Sequence, residues 1–179
     1  MGRIIAVANQ KGGVGKATTA INLSACLAEK GKKVLAIDMD PQGNTTSGFG
    51  VDKNGIENTL YELLLGEAET KDTIVKDVVE NLDLIPSNIN LSGAEIELVG
   101  IDDKEFILKG ITDKLRRKYD YIILDCPPSL NMLTINALTA ATSVLVPIQC
   151  EYYALEGLSQ LIHTIDLVKE RLNKRLKME

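Results

Sequence analysis

At 179 residues and 45% hydrophobic content, the chain is long enough to bury a sizeable core as one α/β domain. A formal net charge of −5 argues against a globally basic nucleic-acid binder but leaves room for a local basic face. No apolar run approaches the length of a membrane span, and no signal peptide precedes the first expected strand at residue 3. Three cysteines, Cys26, Cys126 and Cys150, form no Cys-x-x-Cys pair, and their odd number argues against a disulfide framework. Buried, reduced thiols are expected.

In chain order, the apolar run 3–9 predicts a strand that passes through a glycine-rich loop into a helix over 16–30. That helix carries Ala20, Leu23 and Leu27 on one face. A second strand over 33–39 is continuously apolar at Val34-Leu-Ala-Ile37, as a strand covered on both faces should be. It closes on Asp38 and Asp40, which alternation along a strand puts on one side. The polar stretch Pro41–Asn58, with four glycines, reads as a mobile loop; starting at a carboxylate makes it a candidate switch. A short helix (59–65), a strand (82–86) and a helix (104–118) follow. The strand 120–125 ends in Asp125 and precedes a helix over 131–141 and a strand over 143–148.

The last helix, 154–176, aligns Leu161, Ile165, Val168, Leu172 and Leu176 on one stripe, and no strand is expected after it. Its basic end (Lys169, Arg171, Lys174, Arg175, Lys177) complements the helix dipole. The sole histidine, His163, reads as a surface or packing residue. Alternating strands and helices predict a doubly wound, mostly parallel sheet with helices on both faces. Ligands in such sheets sit beyond the carboxyl ends of the strands, where the glycine loop lies.

The loop, Asn9-Gln-Lys-Gly-Gly-Val-Gly-Lys-Ala-Thr-Thr19, has the chemistry of a phosphate cradle. Successive backbone N–H groups converge on an anion, the helix N-terminus adds its dipole, and Lys16 supplies a point charge. Gly12, Gly13 and Gly15 let the backbone approach oxygens that a Cβ would fend off. Together, Lys11, Gly12, Gly13, Val14, Gly15, Lys16, Ala17 and Thr18 form the candidate nucleoside-triphosphate site of a P-loop NTPase-like fold. Two features are unusual. Gln10 replaces the first glycine of the ordinary pattern and a second lysine, Lys11, stands inside the loop. Ala17 occupies the position of the hydroxyl that ordinarily binds Mg²⁺, and Thr18 points about 100° away from it.

Lys-Gly-Gly-Val-Gly-Lys resembles the deviant Walker A loop of the ParA/Soj/MinD partitioning ATPases. Three further segments resemble the same family in the same order. Ile37-Asp-Met-Asp-Pro-Gln-Gly-Asn44 looks like its switch I, and Asp125-Cys-Pro-Pro-Ser129 like its Walker B strand end and switch II. Pro147-Ile-Gln-Cys-Glu-Tyr-Tyr-Ala-Leu-Glu-Gly157 looks like the segment after the fifth strand in ParA/Soj proteins. The Asp-Pro-Gln-Gly-Asn form is closer to ParA/Soj than to MinD.

The resemblance implies one ATPase domain over 1–179, incomplete at its C-terminus. It makes Lys16 the lysine acting in cis, Lys11 the lysine reaching a partner subunit's phosphates, and Asp40 the residue that positions the attacking water. Asp125, with Asp38, holds the metal shell; Asp38 alternatively braces the loop. The implied cofactors are ATP/ADP and Mg²⁺, with ATP resting on the family alone. An ATP-dependent sandwich homodimer, a ParB-type partner that stimulates hydrolysis, non-specific DNA binding by the full-length family member, and a cytoplasmic, nucleoid-associated location complete the implication. Much of the family's basic DNA surface lies beyond residue 179, which leaves DNA binding by this chain doubtful; no membrane attachment is expected. Ala17 departs from the family and predicts nucleotide binding retained with Mg²⁺-dependent hydrolysis much reduced.

Three other functions fit parts of the pattern. A dinucleotide-binding dehydrogenase would leave Lys11 and Lys16 without a role and has Thr18 at its third glycine position. An electron-transfer ATPase like the nitrogenase iron protein needs paired cysteines at a dimer axis, for which Cys126 and Cys150 are the candidates. A catalytically weak nucleotide-binding module, locked by Ala17, would act by conformation alone.

Overall fold

The computed structural model describes residues 1–150 and 154–179, with side chains given from 157 onward in the last helix. Its strands are β1 (Arg3–Val7), β2 (Val34–Asp38), β3 (Val75–Val79), β4 (Leu82–Ile85), β5 (Tyr121–Asp125), β6 (Ser143–Leu145) and β7 (Lys177–Met178). They form one seven-stranded sheet in the order β3-β4-β2-β5-β1-β6-β7. Every neighbouring pair is parallel except β3 with β4. The helices are α1 (Lys16–Glu29), α2 (Asn44–Gly48), α3 (Leu60–Leu65), α4 (Thr70–Thr73), α5 (Leu91–Leu98), α6 (Ile107–Leu115), α7 (Met132–Ala140) and α8 (Ala154–Arg171). A 3₁₀ turn, Lys104–Phe106, leads into α6.

Alternation along the central strands builds two cores, one on each face of the sheet. Ile4, Ala6, Leu35, Ile37, Ile122 and Leu124 face one side, where residues of α3 and α5 to α8 pack. Ile5, Val7, Val34 and Ile123 face the other and are covered by Ala20 and Ala28 of α1. β1, β2 and β5 are therefore fixed from both sides, and their carboxyl ends make a firm floor. Val7 and Asp38 both pair with Asp125 there, so the P-loop strand and the two carboxylate-bearing strands end level.

The expected doubly wound architecture is present, with differences that have local causes. Strand β3 escapes the periodicity because its alternation is interrupted: the ladder shifts register between Val75 and Val79, and Asp77 adopts φ 49°. The stretch 41–58 is not all loop, since α2 forms within it, and α5 lies in a region where no element was expected. The helix expected over 104–118 is α6 plus its 3₁₀ lead-in, and it stops at Leu115.

The last helix ends at Arg171 rather than 176. Asn173 stops it by donating from Nδ2 to the carbonyls of Leu138 (2.9 Å) and Ala141 (2.7 Å). Leu176 then turns into the core, and Lys177–Met178 joins β6 as β7, so a strand does follow the helix. Lys177 N donates to the Thr142 carbonyl and Glu179 N to that of Val144.

The thiols also differ from expectation. Cys126 is buried, but Cys26 and Cys150 are exposed, because Cys26 lies off the Ala20–Ser24–Ala28 face of α1 and Cys150 follows the end of β6. His163 is exposed on α8. Among the described residues no helix is long and apolar enough to cross a membrane.

Candidate phosphate-binding site

Beyond the carboxyl ends of β1, β2 and β5 lies a cavity of about 400 Å³. Gly12, Gly13, Gly15, Lys16, Ala17 and Thr18 form one wall; Asp40, Gln42, Asn44, Asp125 and Pro128 form the other. Gly13 (φ 72°) and Gly15 (φ 87°) hold the left-handed backbone that turns the chain from β1 into α1. A Cβ built on Gly12, Gly13 or Gly15 would meet no protein atom within 4 Å. The loop is thus an open concavity in which backbone conformation demands glycine at positions 13 and 15.

Lys16, the first residue of α1, is buried, and its Nζ donates to the Lys11 carbonyl at 2.9 Å. Burial holds this amine below the usual lysine range, opposed by the charges of Asp125 and Asp40. The loop is braced by side chains outside the motif. Asn9 Oδ1 accepts from Lys11 N (3.0 Å) while its Nδ2 donates to the Pro147 carbonyl (2.8 Å). Gln149 Nε2 donates to the Gly13 carbonyl (3.0 Å), and Gln10 Nε2 to Gln160 Oε1 on α8 (3.0 Å). Gly157 packs against the same side chain: a Cβ there would lie 3.1 Å from Gln10 Nε2.

The three aspartates divide between two environments. Asp125 is buried at its strand end and also lines the cavity. Burial raises its carboxyl to about 7, reinforced by Asp38 and Asp40 and opposed by a hydrogen bond from Thr45 and by Lys16. Asp40 is half-buried, lines the cavity, and accepts from Gln42 N at 2.9 Å. Asp38 is fully buried and does not line the cavity. Its Oδ2 accepts from Thr46 N (2.8 Å) and Thr46 Oγ1 (2.7 Å), and its Oδ1 from Asp40 N (3.1 Å). Burial raises its carboxyl to about 6. The expected same-side placement of Asp38 and Asp40 fails because β2 ends at Asp38, so strand alternation does not extend to Asp40. Asp38 anchors α2 instead of facing the glycine loop.

Val14 is buried beneath the loop, Lys11 is half-buried outside the cavity lining, and Ala17 presents a methyl to the cavity. Cys126 lies fully buried behind Asp125, and burial pushes its thiol well above the usual range. Within 147–157, residues 151–153 lie outside the described residues. Sequence reading missed Thr45, Thr46 and Gln149; Thr46 bonds Asp38 only eight residues earlier, whereas the partner of Thr45 lies 80 residues on, where no local signal exists. The residues that line the cavity with Lys16 include Asp40, Asp125, Gln42 and Asn44, whose side chains carry carboxylate and amide oxygens. Hard oxygen ligands of this kind fit Mg²⁺ and do not fit a thiophilic metal.

A family model described as an AAA domain matches residues 2–178. The chain is 58% identical to the sporulation initiation inhibitor protein Soj of Bacillus subtilis, over all of this chain and 71% of that protein. It is 56% identical to the chromosome partitioning protein ParA of Myxococcus xanthus, over all of this chain and 63% of that protein. Among solved structures, cobyrinic acid a,c-diamide synthase from Mycobacterium smegmatis, with bound ATP analog and magnesium, superposes with a TM-score of 0.95. The two are 44% identical over 99% of this chain and 72% of that one. The sheet order, the glycine loop and these likenesses together mean that the chain belongs to the ParA/Soj family of partitioning ATPases.

Proposed function

We propose that residues 1–179 form a single deviant Walker A ATPase domain that binds Mg-ATP and ADP above its glycine loop and works as a nucleotide-dependent dimerisation switch. The observation that carries this reading is the convergence of Lys16, Asp40 and Asp125 on one cavity over Gly12–Gly15. The amides of Gly12 to Thr18 hold the phosphates, and Lys16 leaves the Lys11 carbonyl to pair with them. Lys11 serves a second copy's phosphates in trans. Asp40, on the segment that leads into α2, orients the attacking water. Asp125 holds the ion's shell, and Asp38 acts through α2. Bound Mg²⁺ supplies charge neutralisation of the phosphates.

Ala17 contributes no oxygen, so nucleotide binds while turnover stays slow. Loss of even an indirect partner of a metal costs roughly 10–100-fold, and Ala17→Thr should raise turnover by at least that. Equal turnover of the two chains would refute the role assigned to Ala17. Chromosome or plasmid segregation, with a ParB-type partner in the cytoplasm, is the setting in which such a switch acts; support comes from the Soj and ParA relatives. Burial of Cys126 favours this over an iron-protein-like electron-transfer role, which would need that thiol at an accessible dimer axis. Light scattering with and without Mg-ATP, beside an ATPase assay, tests the whole reading. ATP-dependent dimers support it; bound ATP with no change of mass would favour a non-enzymatic module.

A further inference from the structure

Thr45 and Thr46 of α2 are both fully buried, and each fastens the helix to a different strand. Thr46 bonds Asp38 on β2, while Thr45 Oγ1 donates to Asp125 Oδ2 on β5 at 2.6 Å. Asp38 and Asp125 are partners in the β2–β5 register, so two adjacent threonines latch onto two adjacent carboxylates. The latches are not equivalent: Asp125 lines the cavity and Asp38 does not. Ser87 N also donates to Thr46 Oγ1 at 3.0 Å, and Gly48 packs closely on Ile21 of α1. The helix is five residues long, and its N-cap, Gly43, has no side chain with which to cap it.

We propose that Thr45 is a positioning residue that fixes the Asp125 carboxylate and ties it to α2, in a site whose position 17 carries no hydroxyl. With Oδ2 committed to Thr45, the carboxylate keeps one orientation toward the cavity. Asp40, Gln42 and Asn44 belong to the segment that Thr45 secures. A cation that draws on Asp125 therefore acts on the same bond that holds α2. The inference rests on the Mg-nucleotide reading of the cavity.

The test compares Thr45→Val, Thr45→Ser and Thr46→Val in the full chain by two measurements. The first is ADP affinity by calorimetry in EDTA and in Mg²⁺. The second is hydrogen exchange of the 45–49 amides without nucleotide. Thr45→Val should keep its affinity in EDTA, lose about tenfold of the Mg²⁺-dependent gain, and exchange faster over 45–49. Thr45→Ser should restore both. Thr46→Val should speed exchange yet keep the Mg²⁺ gain, since Thr46 does not touch Asp125.

If Thr45→Val does not fold, Thr45→Ala takes its place with the same expectation. An undiminished Mg²⁺ gain in the Thr45 variant, failure of serine to restore it, or an equal loss in Thr46→Val would each overturn the inference. Failure of the unaltered chain to bind ADP in either buffer would instead bring down the nucleotide-site reading beneath it.

Discussion

Asp38 and Asp125 are costly residues: both are buried carboxylates, raised to about 6 and about 7 from an ordinary value of 3.8. The sign of the consequence follows from linkage. An acid that ionises less readily when folded contributes stability that is whole below its unfolded value and is lost as pH rises through its folded value. These two groups therefore make the nucleotide-free chain lose stability between about pH 4 and pH 7. Thermal melts from pH 5 to 8 should show that decline, and Asp125→Asn should flatten it and melt higher at pH 8. A melting temperature that climbs through this window, or an unchanged slope in the variant, would contradict the assignment. At this scale the sequence was partly legible. The placing of Lys16 and Asp125 at one cavity was readable because a glycine loop and an apolar strand ending in an acid say where they must lie. The burial of Asp38 away from the cavity was not, because its bond with Thr46 depends on α2 folding back over β2.

Among the elements, those with an unbroken signal were the ones read correctly. The three central strands are nearly continuous apolar runs with sharp ends, and α1 keeps one regular small-residue face at Ala20, Ser24 and Ala28. α5 was missed because its buried positions Leu91, Ala94 and Leu98 are sparse, Gly93 weakens the pattern, and Ile96 faces solvent. The tail was misread for a different reason. The apolar stripe of α8 continues in sequence to Leu176, but Asn173 ends the helix and Leu176 reaches the core from a turn. Leu176 should therefore matter as a core residue that also seats β7. Leu176→Ala should destabilise the chain by about 2 kcal/mol in urea unfolding. A change under about 0.5 kcal/mol, the range of ordinary surface substitutions, would mean that β7 adds nothing to the fold.

For the whole molecule, the sheet works as a rigid plate that delivers three strand ends to one edge, while the segments that handle ligand are short and lie above it. The 40–48 segment is tied down by Thr45, Thr46, Ser87 and Lys53, and the glycine loop by Asn9, Gln10 and Gln149. Ligand that binds only the folded state raises stability by mass action, roughly 2.7 kcal/mol at a hundredfold excess over Kd. Mg-ADP should accordingly raise the melting temperature in a concentration-dependent way, and nicotinamide dinucleotide should not; the reverse order would favour a dehydrogenase. The most direct test is a calorimetric titration of the chain and of Lys16→Ala with a non-hydrolysable ATP analogue in Mg²⁺ buffer. Saturable binding at one site per chain, abolished or weakened at least tenfold by the substitution, is the predicted result. No binding by the unaltered chain, or equal binding by both, would contradict a polyphosphate gripped between the Gly12–Lys16 loop and the strand-end aspartates.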